Sequence, residues 1–399
     1  MVPNLGRTPQ NAAYTLAFTD WLACACAGTD QRAALAVRSS GDDLLAEVAF
    51  AATAGHALDF DDTFADGMAH VSAACAPAAL VVAAHLGLSL AAALDAYAAG
   101  FEAMAAVAAA SHPGLYDGGW HPTAVCGPVG AAVAASHLFE LSATEREMAV
   151  AIGLLRAGGT RGAFGSDGKS IQVGLAAAAG VQGALLARAG ASVDARAMHG
   201  PLGFEAVVGA AWPPDLVQAR GAIERNWIKL YPSCLGTHAP IEAAASLRDN
   251  GYRLAASGPL DVRVHPVARQ AAHLDLVGDG LSGKFSIPYC VAYTLDHGAP
   301  GVTDFAALDD GVREFSALVK VIVDPTLPDF GAVLVSDGVQ LAAIAGPRGT
   351  PERPAREQDL AGKLADLAGE RLDGALDDLA APAAEALEAA GLRVAAVTG

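Results

Sequence analysis

Two polar knots interrupt an otherwise apolar stretch between Ala52 and Ser136. The first, ATAGHALDFDDTFADGMAHVSAACAP, carries His56, Asp59, Asp61, Asp62, Thr63 and His70; the second, YDGGWHPTAVCGPVGAAVAAS, carries Trp120, His121 and Thr123. Groups of this kind set beside helical core are hydrogen-bonded or put to use. Imidazoles titrate near neutral pH, so His70 and His121 are candidates for moving protons, with Asp59 orienting a histidine or a lysine or acting as the base itself. His121 lies within Gly-Gly-Trp-His-Pro, where the proline stiffens the backbone that places the ring. The same residue types admit two other readings. Histidine and carboxylate are common metal ligands, and the first knot could instead cap the next helix and leave its carboxylates solvated.

Two lysines stand in loops shaped by glycine or proline. Lys169 opens a helix after GTRGAFGSDG, where its charge opposes the macrodipole; Lys229 precedes Tyr231-Pro232-Ser233-Cys234 among apolar neighbours. A net charge of −18 makes such cations more informative, because an anionic substrate needs a local positive pocket. The same charge disfavours nucleic acid and anionic membrane as partners. Neither a Walker spacing nor a preceding strand accompanies the glycine-rich loop, which removes a nucleotide-binding reading. The six cysteines lack paired metal-ligand spacing and read as buried thiols of a reducing compartment. Cys234 has no evident His–Asp partners in sequence for a nucleophile.

Positioning these groups requires a helical scaffold. Hydrophobic residues form 53% of the 399-residue chain but aromatics only 6%, and alanine supplies much of the difference, which favours closely packed helices over sheets. Helices are expected over 11–27, 30–53, 80–86, 89–110 and 128–139, then after the capping box Ser142-Ala-Thr-Glu145, and from the glycine-rich loop to Gly190. Apolar residues 73–110 are interrupted by Pro77, His85, Asp95 and Glu102 and read as core helices, not a membrane span. Leu16 to Ala27, interrupted by Asp20, reads as helix and not as a signal peptide. Past residue 236 the texture changes: 261–265, 318–323 and 332–343 alternate with strand period around a helix at 288–296. The expectation is a mainly α chain. An all-helical domain comes from 1–235 and 348–399, with terminal helices at 357–368 and 381–391, and a smaller α+β domain comes from 236–347.

The segments AGHALDFDDT (54–63), GWHPTAVCGPVGAA (119–132), GSDGKSIQVGLAA (165–177), IKLYPSCLGTHAPIEA (228–243) and GKFSIPYCVA (283–292) together resemble the MmgE/PrpD family of polycarboxylate dehydratases, decarboxylases and epimerases. They follow the family order over most of the chain. The resemblance implies that both chain ends build the large helical domain, that the α+β domain is a lid, and that the protein is a homodimer working without a metal; the reading adds a cytoplasmic, cofactor-independent enzyme. It places Asp59, His70, His121, Lys169 and Lys229 as catalytic groups, with Thr63, Gln172, Cys234 and Tyr289 binding a small polycarboxylate substrate. Three positions depart from the family: Val71 follows His70 where proline is usual, Gln172 replaces a frequent histidine, and Cys234 replaces the histidine of the decarboxylases. The reading is a lyase acting on a small di- or tricarboxylic acid, dehydration of a 2-methylcitrate-like acid being preferred to decarboxylation. The alternatives are an epimerase of a small dicarboxylate, a catalytically silent carboxylate binder, and a metal-dependent hydrolase built on His56, Asp59 and Asp62.

Overall fold

A computed structural model describes residues 9–213, 220–253 and 258–393. The first helices are α1 (Pro9–Gly28), α2 (Arg32–Arg38), α3 (Leu44–Ala57), α4 (Val71–His85) and α5 (Leu90–Ser111). They continue with α6 (Gly114–Asp117), α7 (Pro122–Leu138), α8 (Ala143–Leu154) and α9 (Gly168–Arg188). The helix expected over 30–53, loosened around 39–41, breaks there: α2 ends at Arg38 and Asp43 starts α3 by accepting the Ala46 amide. The helix expected from residue 80 begins at Val71 and runs through Pro77; the one expected from residue 128 begins at Pro122 and runs through Pro128. Each proline removes one helical hydrogen bond, a loss opposed here by burial of nearly every residue of both helices.

Small residues let these helices approach closely. A Cβ added at Gly130 of α7 would lie 2.3 Å from Cys75 Sγ, and one at Gly100 of α5 would lie 2.6 Å from the Gly130 carbonyl. α4 is thereby enclosed by α3, α5, α7 and α9. α5 and α9 are long and apolar enough to cross a membrane, yet 67% and 61% of their most apolar windows are buried inside the fold.

Two hydrophobic cores result. The first draws on residues between Ala17 and Ile223 and again between Leu367 and Leu392, so both ends of the described chain enter it. Helix α10 (His238–Asp249), helix α11 (Ile287–His297) and a four-stranded sheet build the second. Its strands are β3 (Leu260–Val264), β4 (Val319–Val323), β5 (Ala332–Ser336) and β6 (Val339–Ile344), in the order β4-β3-β5-β6, with β3 parallel to β4 and antiparallel to β5. Leu260, Val262 and Val264 face that core while Arg263 faces solvent, the alternation that the sequence displays. The chain then returns through α12 (Glu357–Ala368), which packs on α1, and α13 (Ala383–Ala389), which packs on α4 and α5. The fold is mainly α with a smaller α+β part.

Candidate active site

Helix ends and one short sheet place the polar groups. β1 (Thr63–Phe64) pairs antiparallel with β2 (Asn226–Trp227), which lays the aspartate loop against the segment carrying Lys229. His70 and His121 are the residues immediately preceding α4 and α7. The His70 amide donates to Thr123 Oγ1 at 3.0 Å, tying the two helix starts together. A helix N-terminus is the positive end of its dipole and favours a neutral imidazole. Lys169 enters from the first turn of α9.

Asp59 is the hub. Its Oδ1 accepts from Lys169 Nζ at 2.8 Å and lies 3.1 Å from Lys229 Nζ, and both lysines are buried. Burial pushes the Asp59 carboxyl up, but the two ammonium groups override this and hold it well below the usual carboxylate range. Its Oδ2 has no hydrogen-bond partner among the described residues. Lys169 Nζ also donates to His56 Nε2 at 2.9 Å, and His56 Nδ1 donates to Asp61 Oδ2 at 2.9 Å. The rings of Phe164 and Phe285 lie 5.5 and 5.7 Å from the Lys169 ammonium and shield it from water.

The two imidazoles beside this hub are held in opposite tautomers. Gln172 Oε1 accepts the Thr160 amide at 3.0 Å, so the Gln172 amide nitrogen faces His121 Nδ1 and donates to it at 2.6 Å. Nδ1 of His121 is therefore bare and Nε2 carries the hydrogen. His70 is the reverse: its Nδ1 donates to Asp61 Oδ2 at 3.2 Å, which leaves Nε2 bare, 3.7 Å from Asp59 Oδ1. Burial lowers the pKa of both rings, that of His121 well below 6.5, and brings His56 down to about 4 although Asp61 opposes it. In all three, burial favours the neutral ring. His70 keeps 12% side-chain exposure and is the more accessible of the pair.

A cavity of about 430 Å³ adjoins the hub, lined in part by His56, Asp59, Lys169, Arg32, Lys284 and Phe285. Lys284 is fully buried; burial pushes its ammonium down to about 8, with Asp59 opposing and Lys229 and Lys169 assisting. A larger cavity, about 840 Å³, lies near Glu102, Arg146 and Trp212 and contains none of these groups.

Asp59, His70, His121, Lys169, Lys229 and Thr63 lie near one another, with Thr63 Oγ1 3.4 Å from His70 Nδ1. Gln172 spends its amide on His121 and the Thr160 backbone. Cys234 is buried in the second core, and burial pushes its thiol up to about 11, which keeps it protonated. Tyr289 is also in that core, its hydroxyl accepting the Asp309 amide at 3.1 Å. Of the trio His56, Asp59 and Asp62, the last turns toward Ser72 and Asn226. Among the described residues, the group that could converge on a metal ion is instead His56, Asp61 and His70, with ligand atoms within 4.8 Å of one another. Their Nδ1 atoms and the Asp61 carboxylate are hydrogen-bonded to each other, and the Lys169 ammonium already occupies His56 Nε2. Lys284 was not singled out in the sequence, although it lies in GKFSIPYC; the signal was the scarcity of lysine. Of five lysines, Lys169, Lys229, Lys284 and Lys363 are buried, and Lys320 is exposed.

Asp62 supplies a pH signature. Burial pushes its carboxyl up to about 8, against the donations from Ser72 and Asn226 and with help from Asp20 and Asp61. The folded pKa exceeds the ordinary 3.8, so the folded chain binds more protons between these values and stability falls as pH rises through about 8. Asp62→Asn should therefore gain thermal stability relative to the unaltered protein between pH 4 and pH 8, as read by melting curves across that range. A difference that stays constant with pH would show that Asp62 ionises normally.

The chain belongs to the MmgE/PrpD family: the MmgE/PrpD N-terminal domain matches residues 41–216 and the MmgE/PrpD C-terminal domain matches residues 231–388. It is 30% identical over 206 residues to cis-aconitate decarboxylase of Homo sapiens, a match covering 48% of this chain and 42% of that protein. It is 27% identical over 220 residues to cis-aconitate decarboxylase of Aspergillus terreus, covering 50% and 45%. The chain thus spans less than half the length of these curated relatives.

Proposed function

We propose that this chain is a lyase acting on a small polycarboxylic acid, with loss of CO2 from a cis-aconitate-like tricarboxylate as its reaction. The observation that carries the reading is the hub itself: two buried lysines meet on Asp59, with a bare imidazole nitrogen of His70 beside it and the His121 ring against His56 nearby. Breaking a bond to a carboxylate leaves an electron pair on carbon. That pair is stabilised when a neighbouring carboxylate lies against fixed cations, and well-placed donors commonly contribute about 3–4 kcal/mol each. Lys169 and Lys229 fit that role, and His121 Nε2–H is suited to hold a substrate oxygen by a hydrogen bond. His70 Nε2, beside Asp59, is suited to take a proton from solvent and pass it to the carbanion, which returns the ring to its neutral form.

The decarboxylase relatives shift the preference within the lyases away from dehydration. Cys234, standing where the resemblance gives the decarboxylases a histidine, keeps dehydration as the second reading. Incubation with citrate, 2-methylcitrate, cis-aconitate and aspartate-derived acids, followed by NMR, separates the two. Release of CO2 from cis-aconitate is expected. Gain or loss of water alone would replace decarboxylation by dehydration, and no turnover of any acid would refute the lyase.

A further inference from the structure

Three successive carbonyls in the aspartate loop each accept a hydrogen bond from a different buried lysine. Lys284 Nζ donates to the Leu58 carbonyl at 2.6 Å, Lys229 Nζ to that of Asp59, and Lys363 Nζ to that of Phe60 at 2.8 Å. The donors lie 226, 170 and 303 residues away along the chain, so only the assembled fold brings them here. Lys284 adjoins Phe285 of the second core, whereas Lys363 belongs to α12 near the end of the chain. Lys363 also donates to the Lys229 carbonyl at 2.9 Å and to Asp20 Oδ1, so its three hydrogens serve α1, the aspartate loop and the Lys229 segment at once. At the centre of the three carbonyls, Asp59 has φ +52°, a left-handed backbone that an L side chain adopts reluctantly.

We propose that Lys284, Lys229 and Lys363 clamp this backbone and hold Asp59 in its left-handed conformation, which aims its carboxylate at Lys169. Lys284 and Lys363 are then positioning residues, and the loop becomes ordered only when the second core and the C-terminal helix are both seated. A lysine suits each position because a compact ammonium on a flexible stem can reach a carbonyl in a narrow space, where a planar guanidinium would need room for its fork. The proposal rests on Asp59 being a site residue, and its test reads backbone order apart from turnover.

Removing Lys363 alone would strand the Asp20 charge, so the variant to make is D20L/K363M, in which both members of the buried pair become apolar. K284M attacks the same backbone from the other core and leaves the Asp20 pair intact. Hydrogen–deuterium exchange over residues 57–64 should be about tenfold faster in each, with α4 and α7 unchanged. kcat on whichever polycarboxylate is turned over should fall about tenfold while KM moves by less than about threefold, the pattern of a misplaced group. K284R, which keeps the charge, should recover part of the protection. Exchange over 57–64 that is unchanged in either folded variant would overturn the clamp, as would exchange in the unaltered protein much faster than in the core of α4; the latter needs no variant to fold. Should no acid be turned over at all, the lyase reading fails while the exchange result still decides the clamp.

Discussion

Lys169→Met should lower kcat/KM toward a polycarboxylate by about 10³-fold, the upper end of what one removed electrostatic donor costs. Lys169 is connected on two sides, to Asp59 Oδ1 and to His56 Nε2, and methionine offers neither a charge nor a hydrogen. The loss should fall on both parameters: KM rises because a substrate carboxylate loses a cation, and kcat falls because the charge developing on carbon loses the same one. Lys229 remains beside Asp59, so the carboxylate is not left without a counter-ion and the variant should fold. Initial rates together with a circular dichroism melt provide the check. Activity within threefold of the unaltered protein would remove Lys169 from the site.

His121→Ala should cost about 10²–10³-fold in kcat, the usual cost of removing one hydrogen-bond donor to developing charge. The ring stacks on His56 at 5.9 Å between centroids and meets the edge of Phe164 at 5.0 Å, so its loss also opens a gap beside Lys169. His121→Phe separates the two effects, because it refills the space without restoring the N–H. Both variants should be equally impaired in kcat, while only the alanine variant should lose appreciable stability. Recovery of activity in His121→Phe would show that the ring acts by packing alone. The pH profile gives a third handle: with His70 and His121 lowered by burial, the acid limb of kcat/KM should lie below 6.5, the ordinary imidazole value.

Much of this site was legible because its polar groups are anomalous where they stand. A histidine before a proline, two carboxylates on either side of Phe60, and lysines in loops of an acidic chain each carry a cost unless something in the fold uses them. The capping box at Ser142 and the β3 alternation were equally local and equally readable. The α4 and α7 boundaries were not, because both helices are buried nearly all round and so show little of the amphipathic period that marks a start. What escaped altogether was long-range. Nothing near Lys363 in sequence announces that its ammonium reaches the Phe60 carbonyl, and nothing near Gln172 shows that its amide fixes the hydrogen on His121. Tyr289 illustrates the converse: its neighbours Lys284 and Phe285 face the hub, while its own hydroxyl serves a backbone amide inside the second core.

The central claim is that two neutral imidazoles of opposite tautomer stand close to His56 beside a carboxylate bound by lysines. Nitrogen-15 NMR of the histidine side chains at pH 7 tests it most directly and requires no substrate. The expected spectrum has His121 protonated on Nε2 only and His70 on Nδ1 only, with neither ring charged. A charged ring at either position, or the same tautomer at both, would contradict the arrangement.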